Sequence, residues 1–257
     1  MLKNMLKKLN PFLNGKVIQA KRAIWCQGSI ESRSPLHQTL ANCYIKGNGI
    51  EIGALHSPLE VPPEVTVRYL DRMTVEELRQ QYPELERMDF VPVDIIEDGE
   101  TLVSIPDESV DFVIARHTIE HYENPIGSLK SLLRVLRKDG ILYLAVPDKR
   151  YTFDRDRPVT SLEHIIRDYT DGPEWSRYSH FEEYVRLVDK VPEQNLCGHV
   201  QSLMDMNYSI HFHVWTPTAF LELLFYCRQQ LNFPLEIELF QRNDTEFIVI
   251  VKKTAKD

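Results

Sequence analysis

Leu235-Glu-Ile-Glu-Leu-Phe-Gln241 and Glu246-Phe-Ile-Val-Ile-Val-Lys252 are two apolar, strand-like runs joined by only four residues, Arg242-Asn-Asp-Thr245. A parallel pair needs a crossover of about a dozen residues or more, so these two runs must form an antiparallel hairpin. Upstream the pattern is different. Short runs rich in β-branched residues recur at 48–53, 65–71, Phe90–Ile96, Val110–Ala115 and Gly140–Val146. Such runs suit strands buried on both faces. Helical segments lie between them. Thr74 with Glu77 three residues on reads as a capping box. Asn124-Pro125 opens a helix whose apolar face is Ile126, Leu129, Leu132, Leu133 and Leu136, with Asp139-Gly140 expected to end it. Thr216-Pro217 opens another that runs to Leu231. Alternating strands and helices give a parallel sheet with right-handed crossovers. The expected fold class is therefore α/β: a doubly wound, mostly parallel seven-stranded sheet ending in an antiparallel hairpin.

The division expected from this pattern is a helical preface at 1–47, a core at 48–147 and 216–257, and an insertion at 148–215. The insertion fits no strand–helix repeat, and the stretch 147–215 holds five of the nine histidines. A segment of this length after a strand end, aromatic rather than low in hydrophobicity, reads as a lid over a substrate.

The chain has 257 residues and a formal net charge of −8. An acidic surface argues against a nucleic-acid partner. The basic residues near the start (Lys3, Lys7, Lys8, Lys16, Lys21 and Arg22) interleave with leucines as in a short amphipathic segment. That start lacks the apolar core and small-residue cleavage site of a secretory signal, and no apolar run is long enough to span a bilayer. Four cysteines without CxxC spacing suggest reduced thiols in the cytoplasm.

In an open α/β sheet, ligands sit beyond the carboxyl ends of the strands. The first run ends Glu51-Ile-Gly53-Ala54, where a glycine lets a ligand approach the backbone. The second ends at Asp71, where an acid can accept the hydroxyl hydrogens of a ribose. Asp94, Glu97, Asp98 and Glu100 follow the third. The order Glu51-x-Gly53, Asp71, Asp98-Gly-Glu-x-Leu102, Asp111-Phe-Val-Ile-Ala, Glu120-His121 and Arg134-Val-Leu-Arg-Lys-Asp-Gly140 resembles class I S-adenosylmethionine-dependent methyltransferases, in the branch of the ubiquinone-pathway enzymes. The likeness covers about residues 46–150 closely and the terminal hairpin by architecture.

The resemblance implies S-adenosylmethionine as cofactor. Gly53 and Ala54 would pass its methionine moiety, Asp71 would hold the ribose, and Asp98 or Asp94 the adenine amine, with Ile96 or Leu102 on the ring. Arg72 and Arg116, next to these strand ends, join the cofactor candidates. The chain departs from the family in its first loop. Gly53-Ala-Leu-His-Ser-Pro has one glycine, and the prolines at 58, 62 and 63 leave little room for a first helix. The cofactor carboxylate would then lack a helix N-terminus, and His56, Ser57, backbone amides or the preface would hold it instead.

The Asn/Asp-Pro-Pro-Tyr motif of planar-amine methylation is absent after the fourth strand. A hydroxyl acceptor on a small molecule or sugar is expected, with a histidine-like base to take its proton. The candidates are His117, Asp148, His211 and His213; alternation along His211-Phe-His213 puts both imidazoles on one side of an extended segment. No acidic partner pattern fixes a metal, so none is expected. Arg155, Arg157 and Arg167 are expected to pair with Asp154, Asp156 and Asp168. A different class of function, a non-catalytic protein of this fold binding a partner through 148–215, is motivated by the abbreviated first loop.

Overall fold

The computed structural model describes residues 34–85 and 87–255. Most of the preface, with its basic cluster and Cys26, lies outside the described residues. Helix α1 (Pro35–Tyr44) begins on the Ser34 cap. The sheet comprises β1 (Asn48–Ile52), β2 (Thr66–Asp71), β3 (Ile95–Ile96), β4 (Val110–Arg116), β5 (Leu136–Pro147), β6 (Leu235–Asn243) and β7 (Glu246–Lys253). Its order is β3-β2-β1-β4-β5-β7-β6. All pairs are parallel except β5–β7 and β6–β7. The hairpin closes at the Asn243–Glu246 pair, so β6 runs further than expected and the join is Asp244-Thr245 rather than four residues.

Helix α2 (Val75–Gln81) starts with the Thr74–Glu77 capping box. Helix α3 (Pro125–Val135) is capped by the Asn124 side chain. It ends at Val135, earlier than Asp139-Gly140. Strand β5 begins at once, and its register with β4 jumps from Val110–Leu136 to Phe112–Ile141. Residues 137–140 bulge out between these pairs, with Asp139 in the left-handed region at φ 63°. The third strand shrinks from the expected Phe90–Ile96 to two residues. Pro92 has no N–H to give a ladder, and the Val91 N–H turns to the Leu55 carbonyl.

One face of the sheet is covered by α3 and by α7 (Pro217–Gln229), around Val113, Leu144 and Val249. The other packs Leu40 and Ala41 of α1 and Leu59 of the loop after β1 against Phe112, Tyr143 and Ile250. The insertion is helical: α4 (Leu162–Asp171), α5 (Glu174–Leu187) and α6 (Glu193–Asp205). It has an apolar core of its own, centred on Phe181, Val185, Val200 and Phe212. Buried Arg157 fastens that core by donating to the His211 and Phe212 carbonyls and pairing with Asp154 and Glu183. Arg155 approaches Asp156, whereas Arg167 pairs with Asp171 rather than Asp168. Among the described residues no helix is long and apolar enough to cross a membrane.

Candidate active site

The carboxyl ends of β1, β2 and β3 lie side by side. The Gly53 N–H donates to the Leu70 carbonyl, and the Glu97 N–H to the Asp71 carbonyl. Gly53 takes φ 67°, a left-handed turn that strains any side chain. No helix follows it before β2. The loop is instead pinned from below. Both oxygens of the buried Glu51 carboxylate accept from the Leu59 N–H at 3.0 and 3.1 Å, and Arg116 Nη1 donates to the Ser57 carbonyl at 3.1 Å. Burial pushes Glu51 up to about 7 against the opposing pull of Arg116, 3.5 Å away.

Polar atoms on and under this loop are buried without a hydrogen-bond partner: both His56 nitrogens, Ser57 Oγ and Arg116 Nε. They border a cavity of about 510 Å³ lined by Glu51, Gly53, Ala54, His56, Ser57 and Arg116 on the sheet side. That volume suits a small-molecule site. Unpaired buried donors and acceptors fit a charged, hydrogen-bonding moiety such as an amino acid end group.

Asp71, Arg72, Asp94 and Asp98 are not in the cavity wall. Asp71 stands at the adjacent strand end, accepts from the Arg72 N–H at 2.8 Å, and is pushed up to about 6 by burial. Asp98 is exposed and caps its own turn through the Glu100 N–H; Asp94 is exposed and accepts from the Tyr69 N–H. Ile96 is 59% exposed at this edge, an apolar side chain facing outward beside Asp71.

The insertion supplies the other wall, including Phe153, Tyr184, Ile210 and His211. His211 Nδ1 lies 2.7 Å from Asp154 Oδ2. Burial works against the Asp154 charge, but His211 and Arg157 outweigh it and hold the carboxyl below its usual range. In the neutral imidazole, donation of Nδ1–H to Asp154 leaves Nε2 as an acceptor. Glu120 is buried beneath, its Oε1 3.9 Å from His211 Nε2 and 3.8 Å from His117 Nδ1. Burial raises Glu120 despite these two histidines. His117 Nε2 contacts Glu246 at 2.7 Å, and Glu246 also takes His37 at 2.6 Å. Burial disfavours the His117 cation, yet Glu246 overcomes this and raises it. His121 stands edge-on to His211 and is lowered to about 3 by burial and that neighbour.

The fold thus brings His117 and His211 to one cavity but not Asp148 or His213. Asp148 is buried, caps the turn after β5 and pairs with Arg150. The segment bends at Phe212, and His213 turns away to His164 and His180. Asp154, Glu246 and His37 were not read from the sequence as site residues. Asp154 is 57 positions from His211, and no local spacing signals that pair.

Residues 47–144 match the family described as a methyltransferase domain. No curated protein matches the chain by sequence. Among solved structures, a Rhodobacter sphaeroides protein that bears the name of Zn-dependent alcohol dehydrogenases aligns with a TM-score of 0.51 at 14% identity, over 86% of this chain and 91% of that one. A Thermotoga maritima protein, named as an S-adenosylmethionine-dependent methyltransferase and possible histamine N-methyltransferase, gives 0.48 at 17%, over 93% and 99%. The CurJ carbon methyltransferase gives 0.44 at 11%, over 87% of this chain; the chain spans 50% of that structure. At these identities the likeness concerns the fold alone.

Proposed function

We propose that this class I S-adenosylmethionine-dependent methyltransferase methylates a hydroxyl oxygen of a small, saccharide-like acceptor held under the insertion. The observation that carries the reading is cavity-lining His211 held by the buried Asp154 behind it. When bound, the cofactor supplies an electrophilic methyl on a sulfonium. His56, Ser57 and Arg116 offer their unpaired polar atoms to its amino acid end. Asp71 receives the ribose hydroxyls, exposed Ile96 covers the adenine face, and Asp98 or Asp94 takes the amine.

His211 Nε2 accepts the acceptor's hydroxyl proton as the new O–C bond forms, while Asp154 fixes the imidazole tautomer and steadies the cation. Phe153, Tyr184 and Tyr208 give the cavity aromatic faces on which the C–H face of a sugar can lie. The unpaired cysteines Cys43, Cys197 and Cys227 suit work in the cytoplasm.

The test is methyl transfer from labelled donor to a panel of sugars, phenols and amines. Hydroxyl acceptors should be methylated, and His211→Gln should lower kcat about 10²- to 10⁴-fold with cofactor affinity kept. Methylation of amines alone, or a full rate in His211→Gln, would overturn the reading.

A further inference from the structure

A second histidine cluster lies outside the cavity wall. His164 and Asp168 occupy one face of α4, four residues apart. His180 comes from α5, and His213 from the segment that returns to the sheet. Each residue places one ligand atom so that all four lie within 4.8 Å of one another. His164 Nε2 is 3.0 Å from His180 Nε2 and 3.3 Å from Asp168 Oδ2, and His213 Nε2 is 3.7 Å from Asp168 Oδ2.

These are three of the six separations among the four ligand atoms. With metal–ligand bonds of about 2.0–2.1 Å, tetrahedral geometry places neighbouring ligand atoms roughly 3.3–3.4 Å apart. The observed separations bracket that value.

Hydrogen bonding alone accounts for the cluster poorly. Asp168 is fully buried, yet its Oδ2 has no hydrogen-bond partner. A buried carboxylate oxygen without a partner is costly unless a cation completes it. The surroundings orient the four groups as outer contacts of a metal site do. Ser176 Oγ donates to Asp168 Oδ1 at 2.7 Å, which turns Oδ2 toward the imidazoles. Trp175 packs on His164, and Trp215 stacks on His213. His213 Nε2 also stands 3.2 Å from the Glu123 carbonyl, a contact that metal binding would replace.

We propose that His164, Asp168, His180 and His213 form a closed, four-ligand site for a transition-metal dication of the zinc class. Imidazole with a carboxylate in tetrahedral array suits zinc. Four protein ligands leave no open position, so the role is structural. The ion would tie α4, α5 and the returning segment together two residues from His211, keeping that base against the cavity.

Metal analysis of the purified full chain, and cobalt titration after chelator stripping, test this without any activity assay. One zinc per chain is expected, and cobalt should give the intense visible bands of four-coordinate geometry. His164 is the least buried ligand, so His164→Gln should fold with an unchanged circular dichroism spectrum. Its metal affinity should fall by about 100-fold or more, and that of Ser176→Ala by about 10-fold. His199→Gln, outside the cluster, should keep the full metal content. Folded wild-type chain that takes up no stoichiometric metal, or equal affinity in His164→Gln, would show a hydrogen-bonded histidine knot instead, and six-coordinate cobalt would overturn the closed four-ligand site.

Discussion

His211 and His213 stand two residues apart and finish in different surroundings. His211 lines the cavity with one nitrogen on Asp154. His213 is fully buried among His164, Asp168 and His180, away from the cavity wall. Residue type is the same; access and the neighbouring carboxylate differ. A cavity-lining histidine with one nitrogen anchored on a carboxylate is placed to move protons. One enclosed by further ligands is placed to hold an ion or a fold. The bend at Phe212, whose N–H donates to the Glu120 carbonyl at 2.7 Å, separates the two roles.

The largest expected effect follows directly from that contrast. His211→Gln should lose about 10²- to 10⁴-fold in kcat with its melting temperature nearly kept. His213→Gln should instead lower the melting temperature and leave the kcat of the folded fraction within about 10-fold, since it acts through position rather than proton transfer. Equal kcat losses in both variants would erase the distinction.

Much of the fold was legible because it is written in local patterns. The hairpin follows from a short join, and the capping of α2, α3 and α7 from Thr74, Asn124 and Thr216. The positions of Gly53 just after β1 and Asp71 at the end of β2 were legible from the apolar runs before them. The site's other half was not legible. Asp154 meets His211, and Asp168 meets His213, through tertiary packing: α5 and α6 around Phe181 and Phe212, and α4 against the sheet's core. Alternation along 211–213 put both imidazoles on one side, but it holds only for a regular strand, and this segment bends. The shortened β3 traces to Pro92, whose missing N–H outweighs the apolar pattern around it.

A second prediction concerns the other cavity histidine. Glu246 is fully buried and accepts from both His37 and His117. Its carboxyl is held well below the usual 4.5, mainly by these two hydrogen bonds acting against burial. That contribution is present above 4.5 and fades as pH falls toward the native value. The raised His117 contributes below 6.5 and fades as pH rises through its native value. The pair therefore stabilises most between 4.5 and 6.5. Glu246→Gln should cost roughly 3–5 kcal/mol there, with a smaller difference at alkaline pH, as thermal melts across pH will read. A pH-independent difference would mean that His117 is not charged in this contact.

The third and smallest effect is on the cofactor. Asp71 titrates at about 6, so its carboxylate is complete only above that pH. Affinity for the demethylated cofactor should rise between pH 5 and 7, with a proton released on binding. Asp71→Asn should weaken it by about 10- to 100-fold and flatten the pH dependence. Calorimetry in two buffers of different ionisation heat checks both. Undiminished affinity in the variant would move the ribose away from Asp71.

A crystal structure of the chain with the demethylated cofactor tests the site most directly. The sulfur should lie beside Gly53, facing His211 Nε2 across a gap that the methyl and one acceptor oxygen fill, with His213 turned away. A sulfur screened from His211, or facing Asp148 or His213, would contradict this placement.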